Sequence, residues 1–453
     1  MPDQTALSLE EAHEHISSTS FRFDEPGAVG QVGLEPEFFP ILTDASGAPN
    51  GRLPLLSNPG GVAFVEELVR TGTWVLPRAS EASLLFLLEN GGNISFEPGG
   101  QIEHSTKPHD SGGAALADVE EFLEHIVPVA KKAGTTLAAI GTDVWHGVES
   151  IPLQLDHWRY RSMQASFDRR GIFGRVMMRH TATTQINLDL GPPGVGEERF
   201  LLANLVSPIV TASFACSPTL GAPSEMGVEG VCARALAWQG LEPSRTGFPT
   251  ELVAGTDTFS EAWSKAVLDA DVMLFKNTDG AELGTDGFSF ARWIEEGHEK
   301  YGQPTRADLD YHLTTVFFEV RARGFLELRA ADGLPTRWRA APVVFSCGLL
   351  YDDAARTAAL ELVGGTNGEL NDDWRTAGRV GLRDTKLQKR ASALWEIALR
   401  GAENLPTGYF REQDLKSSRE FADRFVHAGR MPVDELLEAV QESPAAALRW
   451  ASE

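Results

Sequence analysis

The chain has 453 residues, 42% of them apolar and 23% charged, and a formal net charge of −24. This balance fits a globular protein with a sizeable core. It argues against a general nucleic-acid surface, which needs clustered Lys and Arg, here outnumbered 64 to 40 by Asp and Glu. Cys216, Cys232 and Cys347 form no C-x-x-C pair, so buried thiols in a reducing cytoplasm are expected. The N-terminus lacks the basic start and apolar core of a signal peptide. The longest apolar runs, Ser83 to Leu88 and Ala341 to Tyr351, are too short to span a membrane. A soluble, cytoplasmic protein with no membrane partner is the expectation.

After a short leading helix, Val29 to Phe39 reads as a strand whose two-residue period puts Glu35 and Glu37 on one face. Pro36 removes a backbone donor and predicts an edge or a bulge. Such a pair is either a solvated face or two carboxylates neutralised by a cation. Gly60 to Arg70 reads as an amphipathic helix and Pro77 to Glu89 as a mixed segment. In Asn93 to Ser105, the Pro98-Gly99-Gly100 turn joins two alternating runs into a hairpin. Glu97 and Glu103 flank that turn, as ordinary surface glutamates or aimed at the Glu35/Glu37 pair. A helix over Ala114 to Lys132, a strand over Thr135 to Asp143 and a helix over Trp158 to Phe167, carrying Arg159 and Arg161, follow.

Met177 to Leu190 alternates from Thr181 on, and Thr183, Gln185, Asn187 and Asp189 make one face wholly polar. This is a half-exposed sheet or the lining of a polar cavity. Phe200 to Leu220 reads as an apolar helix, Gly221 to Gly230 as a loop, and a helix carrying Cys232, Arg234 and Trp238 ends near Gly240. Arg234, and Arg245 in the turn after it, are surface cations or planar forks for an anionic substrate. Phe259 to Arg306 mixes helix with loops.

Asp310 to Asp332 is the stretch on which the rest hinges. In Phe325 to Arg329, Leu326 and Leu328 take one strand face and Glu327 and Arg329 the other, while Arg321 and Arg323 extend the same spacing. Alone this is a salt-bridged solvated face, or a site binding metal through carboxylate and phosphate through arginine. Helices over Arg339 to Leu362, Glu369 to Ala377, Thr385 to Arg400, Gln413 to Ala428 and Pro432 to Glu442 make the C-terminal third, 339–453, mainly helical.

P-loop, dinucleotide-binding, zinc-protease and nucleophile-elbow motifs are all missing. What remains is carboxylates on at least three strands, arginines on two, and a polar strand between. That set suits phosphoryl chemistry in which metal-bound phosphate is passed to a carboxylate and the acyl phosphate is attacked by an amine.

Five stretches carry a resemblance: GLEPEFF at 33–39, FEPGGQIEHS at 96–105, RYRSM at 159–163, MMRHTATTQINLDL at 177–190 and HLTTVFFEVRARGFLELRAADGLP at 312–335, with ARALAWQGLEPSRTG at 233–247 a weaker match. The chain resembles the plant-type glutamate–cysteine ligases shared with many bacteria, and the actinobacterial ligases that open the ergothioneine pathway. The resemblance implies a glutamine-synthetase-like α+β fold over 1–453 as one catalytic domain, with a curved, mainly antiparallel sheet forming a funnel and helices outside. It implies ATP and Mg²⁺, the substrates L-glutamate and L-cysteine, a γ-glutamyl phosphate intermediate, a product feeding glutathione or a related thiol, and a monomer or homodimer.

Residue by residue, it implies Glu35, Glu37, Glu97, Glu103 and Glu327 as metal ligands and Glu327 and Arg329 as catalytic. Arg321, Arg329, Gln185 and Asn187 would contact the nucleotide, and Arg161, Arg179, Arg234 and Arg245 are candidates for substrate carboxylates or phosphates. Glu319 is left outside the metal set. Ala182 and Ala340 stand where plant enzymes have cysteines, so plant-type redox control is not carried over. Two other readings are a ligase joining glutamate to a different amine and a non-catalytic ligand sensor. Glu327→Gln is expected to abolish turnover with little loss of folding.

Overall fold

The protein is described here by a computed structural model covering all residues except 1–5, 25–29, 73–74, 78–83, 250, 253–257 and 278–279. Val29, Ser83 and part of the expected mixed segment 77–89 lie outside the described residues. The sheet is built around β1 (Val32–Thr43). Its even positions Val32, Leu34 and Phe38 are fully buried, and alternation turns Gly33, Glu35 and Glu37 to the opposite face. β2 (Pro49–Arg52), β3 (Phe86–Leu87), β4 (Asn93–Phe96), β5 (Ile102–Ser105), β6 (Thr135–Ala138), β7 (Thr184–Leu188), β8 (Val320–Ala322) and β9 (Leu326–Leu328) complete it. Its order is β8-β9-β7-β1-β5-β4-β3, with β2 and β6 paired to the far end of β1, and every pairing is antiparallel.

β1 is therefore central, and the edge expected from Pro36 is corrected. Pro36 falls where one set of neighbours replaces another: β7 pairs with Val32 to Pro36, and β5 with Glu37 and Phe38. A missing N–H is tolerated at that handover.

The apolar face of the sheet packs on α1 (Gly112–Lys132), α4 (Val195–Ser213) and α6 (Thr336–Tyr351). Phe38 of β1 meets Phe122 of α1 with ring centroids 5.9 Å apart. α6 is buried almost all round, as its lack of a polar face requires. The single helix expected over Arg339 to Leu362 breaks at Asp352, whose carboxylate caps the next helix by accepting from the Ala355 N–H at 2.8 Å. Tyr351, the last residue of α6, ties the site's strands together: its hydroxyl donates to the Gln31 carbonyl at 2.5 Å and accepts from the Asp189 N–H at 2.8 Å. Gly30 is required beside it, because a Cβ there would lie 2.2 Å from the Tyr351 ring.

The other side of the sheet is roofed by α2 (Trp158–Asp168), α3 (Phe173–His180) and α5 (Ala233–Gln239). A further expectation is corrected: Thr135–Asp143 is a strand only to Ala138. Asp310–Leu313, the start of the Asp310–Asp332 stretch, ends a helix that begins at Arg306. A final helix over Pro444–Ala451 was not expected, because Pro444 reads as a breaker although proline suits a first helical turn. Among the described residues, no helix is long and apolar enough to cross a membrane.

Candidate active site

Sheet register decides which side chains meet. One row across the polar face runs Arg321, Glu327, Asn187, Gly33, and another runs Gln185, Glu35. A third runs Glu37, Glu103, Ser95, with Thr183 bonding Glu37 from the β7 side. Residues opposite one another in a ladder share a face, so these rows form one polar grid. The Pro98–Gly100 turn adds Glu97. Gly100 has φ 81°, a left-handed conformation that favours glycine.

Over the grid lies a cavity of about 260 Å³. Its walls include all five expected carboxylates, Glu35, Glu37, Glu97, Glu103 and Glu327, together with Gln185, Arg321 and Arg329. Asn187 lies one bond behind, its Nδ2 donating to Glu35 Oε1 at 2.8 Å. Gln185 links the two chemistries: its Oε1 accepts from Arg329 Nη1 at 2.7 Å, and its Nε2 donates to Glu37 Oε1 at 3.4 Å. An amide has an acceptor for the arginine and a donor for the glutamate; a carboxylate there would have only acceptors.

The carboxylates fall into two electrostatic groups. Enclosure in the cavity, reinforced by repulsion between neighbours, raises Glu37, Glu97 and Glu103 to about 8. Glu35 is raised by enclosure and by Glu327, against the Asn187 hydrogen bond. Glu327 moves the other way. Burial opposes its charge, but Arg321, Arg329 and Arg323 outweigh burial and hold it well below the usual carboxylate range. It is 1% exposed and accepts from Arg321 through Nε and, at 2.7 Å, Nη2, from Arg323 Nη1 at 2.9 Å and from Arg329 Nη1 at 3.1 Å. The expectation that Glu327 could be neutralised with little loss of folding overlooks these three guanidinium groups.

Four of the five carboxylates are turned to protein donors: beside Glu35 and Glu327, Glu37 accepts from the Thr183 N–H and hydroxyl at 3.1 and 3.0 Å, and Glu103 from the Ser95 hydroxyl at 2.8 Å. Among the described residues, no three His, Cys, Asp or Glu side chains already converge on a point that could hold a metal ion. The donor set itself is all carboxylate oxygen, the kind that hard divalent cations take.

The four arginines expected as candidates for substrate carboxylates or phosphates are not among the residues lining this cavity. Arg161 points to solvent beside Asp156, its side chain 57% exposed. Arg179 is buried against Gln164 and the Ile151 carbonyl, where it braces α3 on α2. Arg234, 1% exposed, donates to Asp332 Oδ1 at 2.6 Å and to the Ala330 carbonyl at 2.5 Å. Arg245 is buried against Glu242 and the carbonyls of Asp271 and, at 2.7 Å, Thr315. These forks close on protein carbonyls and carboxylates and fasten loops beneath the site. All three cysteines are free and buried, as expected.

Sequence reasoning missed the roof. Tyr160, Met163, Met177, Met178 and Trp238 close the cavity from α2, α3 and α5. The i, i+3 spacing of Tyr160 and Met163 was a usable signal. Arg159, passed over in favour of Arg161, stands at the rim, donating to the Thr314 hydroxyl at 2.9 Å and carbonyl at 3.1 Å.

With the geometry in view, the comparisons with known proteins are direct. A family model for glutamate-cysteine ligase family 2 matches residues 32–449. The chain is 32% identical over 439 residues to glutamate–cysteine ligase EgtA of Mycolicibacterium smegmatis, covering 96% of this chain and 92% of that one. It is 31% identical over 362 residues to the chloroplastic glutamate–cysteine ligase of Arabidopsis thaliana, covering 76% of this chain and 65% of that one. The crystal structure of a Francisella tularensis glutamate–cysteine ligase in complex with AMP aligns over 95% of this chain and 89% of that chain, with a TM-score of 0.50 at 13% identity. The fold is therefore shared, the glutamine-synthetase-like α+β arrangement of an antiparallel sheet with helices packed on it.

Proposed function

This chain belongs to glutamate-cysteine ligase family 2, and from that premise we propose that it joins the γ-carboxylate of L-glutamate to the amine of L-cysteine, with ATP as phosphoryl donor. In this reading the γ-carboxylate takes the terminal phosphoryl group of ATP, releasing ADP. The cysteine amine then attacks the γ-glutamyl phosphate, and phosphate and a proton leave. The observation that carries the reading is the grid itself: five carboxylates beside Arg321 and Arg329, on one face of one sheet, under an apolar roof.

The carboxylates fit Mg²⁺. All are oxygen donors, and Glu37, Glu97 and Glu103 resist ionisation together because burial and their mutual repulsion outweigh the opposing charge and hydrogen bonds around them. Glu35, Glu37, Glu97, Glu103 and Glu327 would hold the ion, which would supply positive charge to offset that of the nucleotide phosphates. Arg321 and Arg329 supply fixed donors to phosphoryl oxygens, where charge spreads during transfer. Gln185 fixes the direction of Arg329. Tyr160, Trp238 and the three methionines exclude water, which would otherwise hydrolyse an acyl phosphate. Arg159 at the rim offers a planar fork to an amino-acid carboxylate. The chain is proposed to act as one catalytic domain in the cytoplasm.

An amine panel with L-glutamate, ATP and Mg²⁺ tests the substrate assignment. Cysteine is expected to support turnover best, and a much better amine would replace it in the assignment.

A further inference from the structure

One buried carboxylate outside the expected metal set makes no hydrogen bond among the described residues. Glu319 is 1% exposed, and neither of its oxygens meets a donor among the described residues. It stands across from Arg329, whose N–H donates to the Glu319 carbonyl at 3.1 Å, one step beyond the Val320–Leu328 pair. Alternation puts both side chains on the face that carries Arg321 and Glu327.

Arg329 is itself incompletely bonded. Its Nη1 is shared between Gln185 and Glu327, while its buried Nε has no acceptor among the described residues. A donor and a carboxylate, both buried and both unsatisfied, thus occupy neighbouring strand positions, which is costly unless some state of the protein joins them. Glu327 explains why they stay apart. Its two oxygens already accept from three arginines, and a carboxylate so engaged cannot also face a cation.

We propose that Glu319 is a positioning residue for Arg329: when Glu327 turns from its arginines to a divalent cation, Arg329 passes to Glu319 and stays at the cavity floor as a phosphate contact. The inference rests on the ligase reading above. Burial, against the pull of Arg234 and Arg329, raises the Glu319 carboxyl to about 7. Burial thus favours its protonated form while unpaired, and the guanidinium's arrival favours release of that proton to solvent. Asp332, on the far side of Arg234, opposes that release.

Glu319→Gln in the full chain is the test, read by thermal unfolding with and without MgCl₂ and ATP. Without ligands its midpoint stays at or above that of the wild type, since no hydrogen bond is lost. With ligands, the Mg²⁺ concentration needed to raise the midpoint grows by about 10- to 100-fold, the range for loss of an outer-shell partner. KM for ATP rises in step, and neither effect grows further in an Arg329→Met background. A wild-type response to Mg²⁺ and ATP would overturn the proposal, as would a variant whose only defect is a lower ligand-free midpoint. If Glu319→Gln fails to fold, the shorter Glu319→Asp takes its place, and its wild-type response would overturn the proposal equally. The wild-type protein separates the two claims. If its own midpoint ignores Mg²⁺ and ATP, the ligase reading falls; if it responds and Glu319→Gln responds equally, only the role of Glu319 falls.

Discussion

Replacing Glu327 by glutamine removes the charge that three arginines share. The amide keeps one accepting oxygen but turns an NH₂ against guanidinium groups, depriving Arg321 and Arg329, each 13% exposed, of the carboxylate they share. Breaking a buried ion pair by removing one partner costs about 3–5 kcal/mol. The two arginines keep the cavity on one side, so the lower end, ~3 kcal/mol, applies. An unfolding entropy of about 2.1 cal/mol/K per residue gives ~1 kcal/mol/K for a chain of 453 residues, hence a midpoint lowered by about 3 °C. Scanning calorimetry in EDTA measures this, and turnover of the same preparation is expected to fall about a hundredfold or more, as when a preorganised charge is lost from a phosphoryl-transfer site. An unshifted midpoint would refute the three-arginine account of Glu327. Unchanged turnover would remove Glu327 from the mechanism.

Asp332→Ala strands Arg234 at 1% exposure and takes acceptors from the Cys216 N–H and the Ser217 hydroxyl; a loss of about 3–5 kcal/mol is expected by calorimetry, partly restored by adding Arg234→Met. Arg159→Ala is expected to raise KM for an amino-acid substrate about 10-fold, the effect of one charged hydrogen bond. Arg161→Ala, exposed and paired at the surface with Asp156, is expected to leave KM unchanged and stability within about 1 kcal/mol; steady-state kinetics on both variants decides which arginine serves the site. The pH response has a defined sign. Glu37, Glu97 and Glu103 are raised from 4.5 to about 8, so the folded chain binds their protons more tightly than the unfolded one. The stability they leave intact below pH 4.5 is lost as pH rises through about 8. Mg²⁺ takes the ionised carboxylates, so its thermal stabilisation is expected to be larger at alkaline than at mildly acidic pH; the reverse trend in a thermal-shift series would refute this.

How much of this was legible in the sequence follows from the range of each interaction. Glu35 and Glu37, Gln185 and Asn187, and Glu327 and Arg329 share faces because the strand period is fixed locally, and the hairpin carrying Glu97 and Glu103 is fixed by its glycines. The protein partners of the arginines were not legible because nothing local names a guanidinium's partner: Asp332 lies 98 residues from Arg234, and the Thr315 carbonyl 70 from Arg245. Pro36 misled because edge and centre are properties of a whole sheet. Tyr160 and Trp238 were overlooked because aromatic residues on amphipathic helices look alike whether they roof a cavity or fill a core.

The central claim is tested most directly by ADP release from the purified protein with ATP, Mg²⁺, L-glutamate and L-cysteine, with the product identified by mass. The account predicts release only when both amino acids are present, stoichiometric with γ-glutamylcysteine. ADP release without that dipeptide, or dependent on glutamate alone, would contradict it.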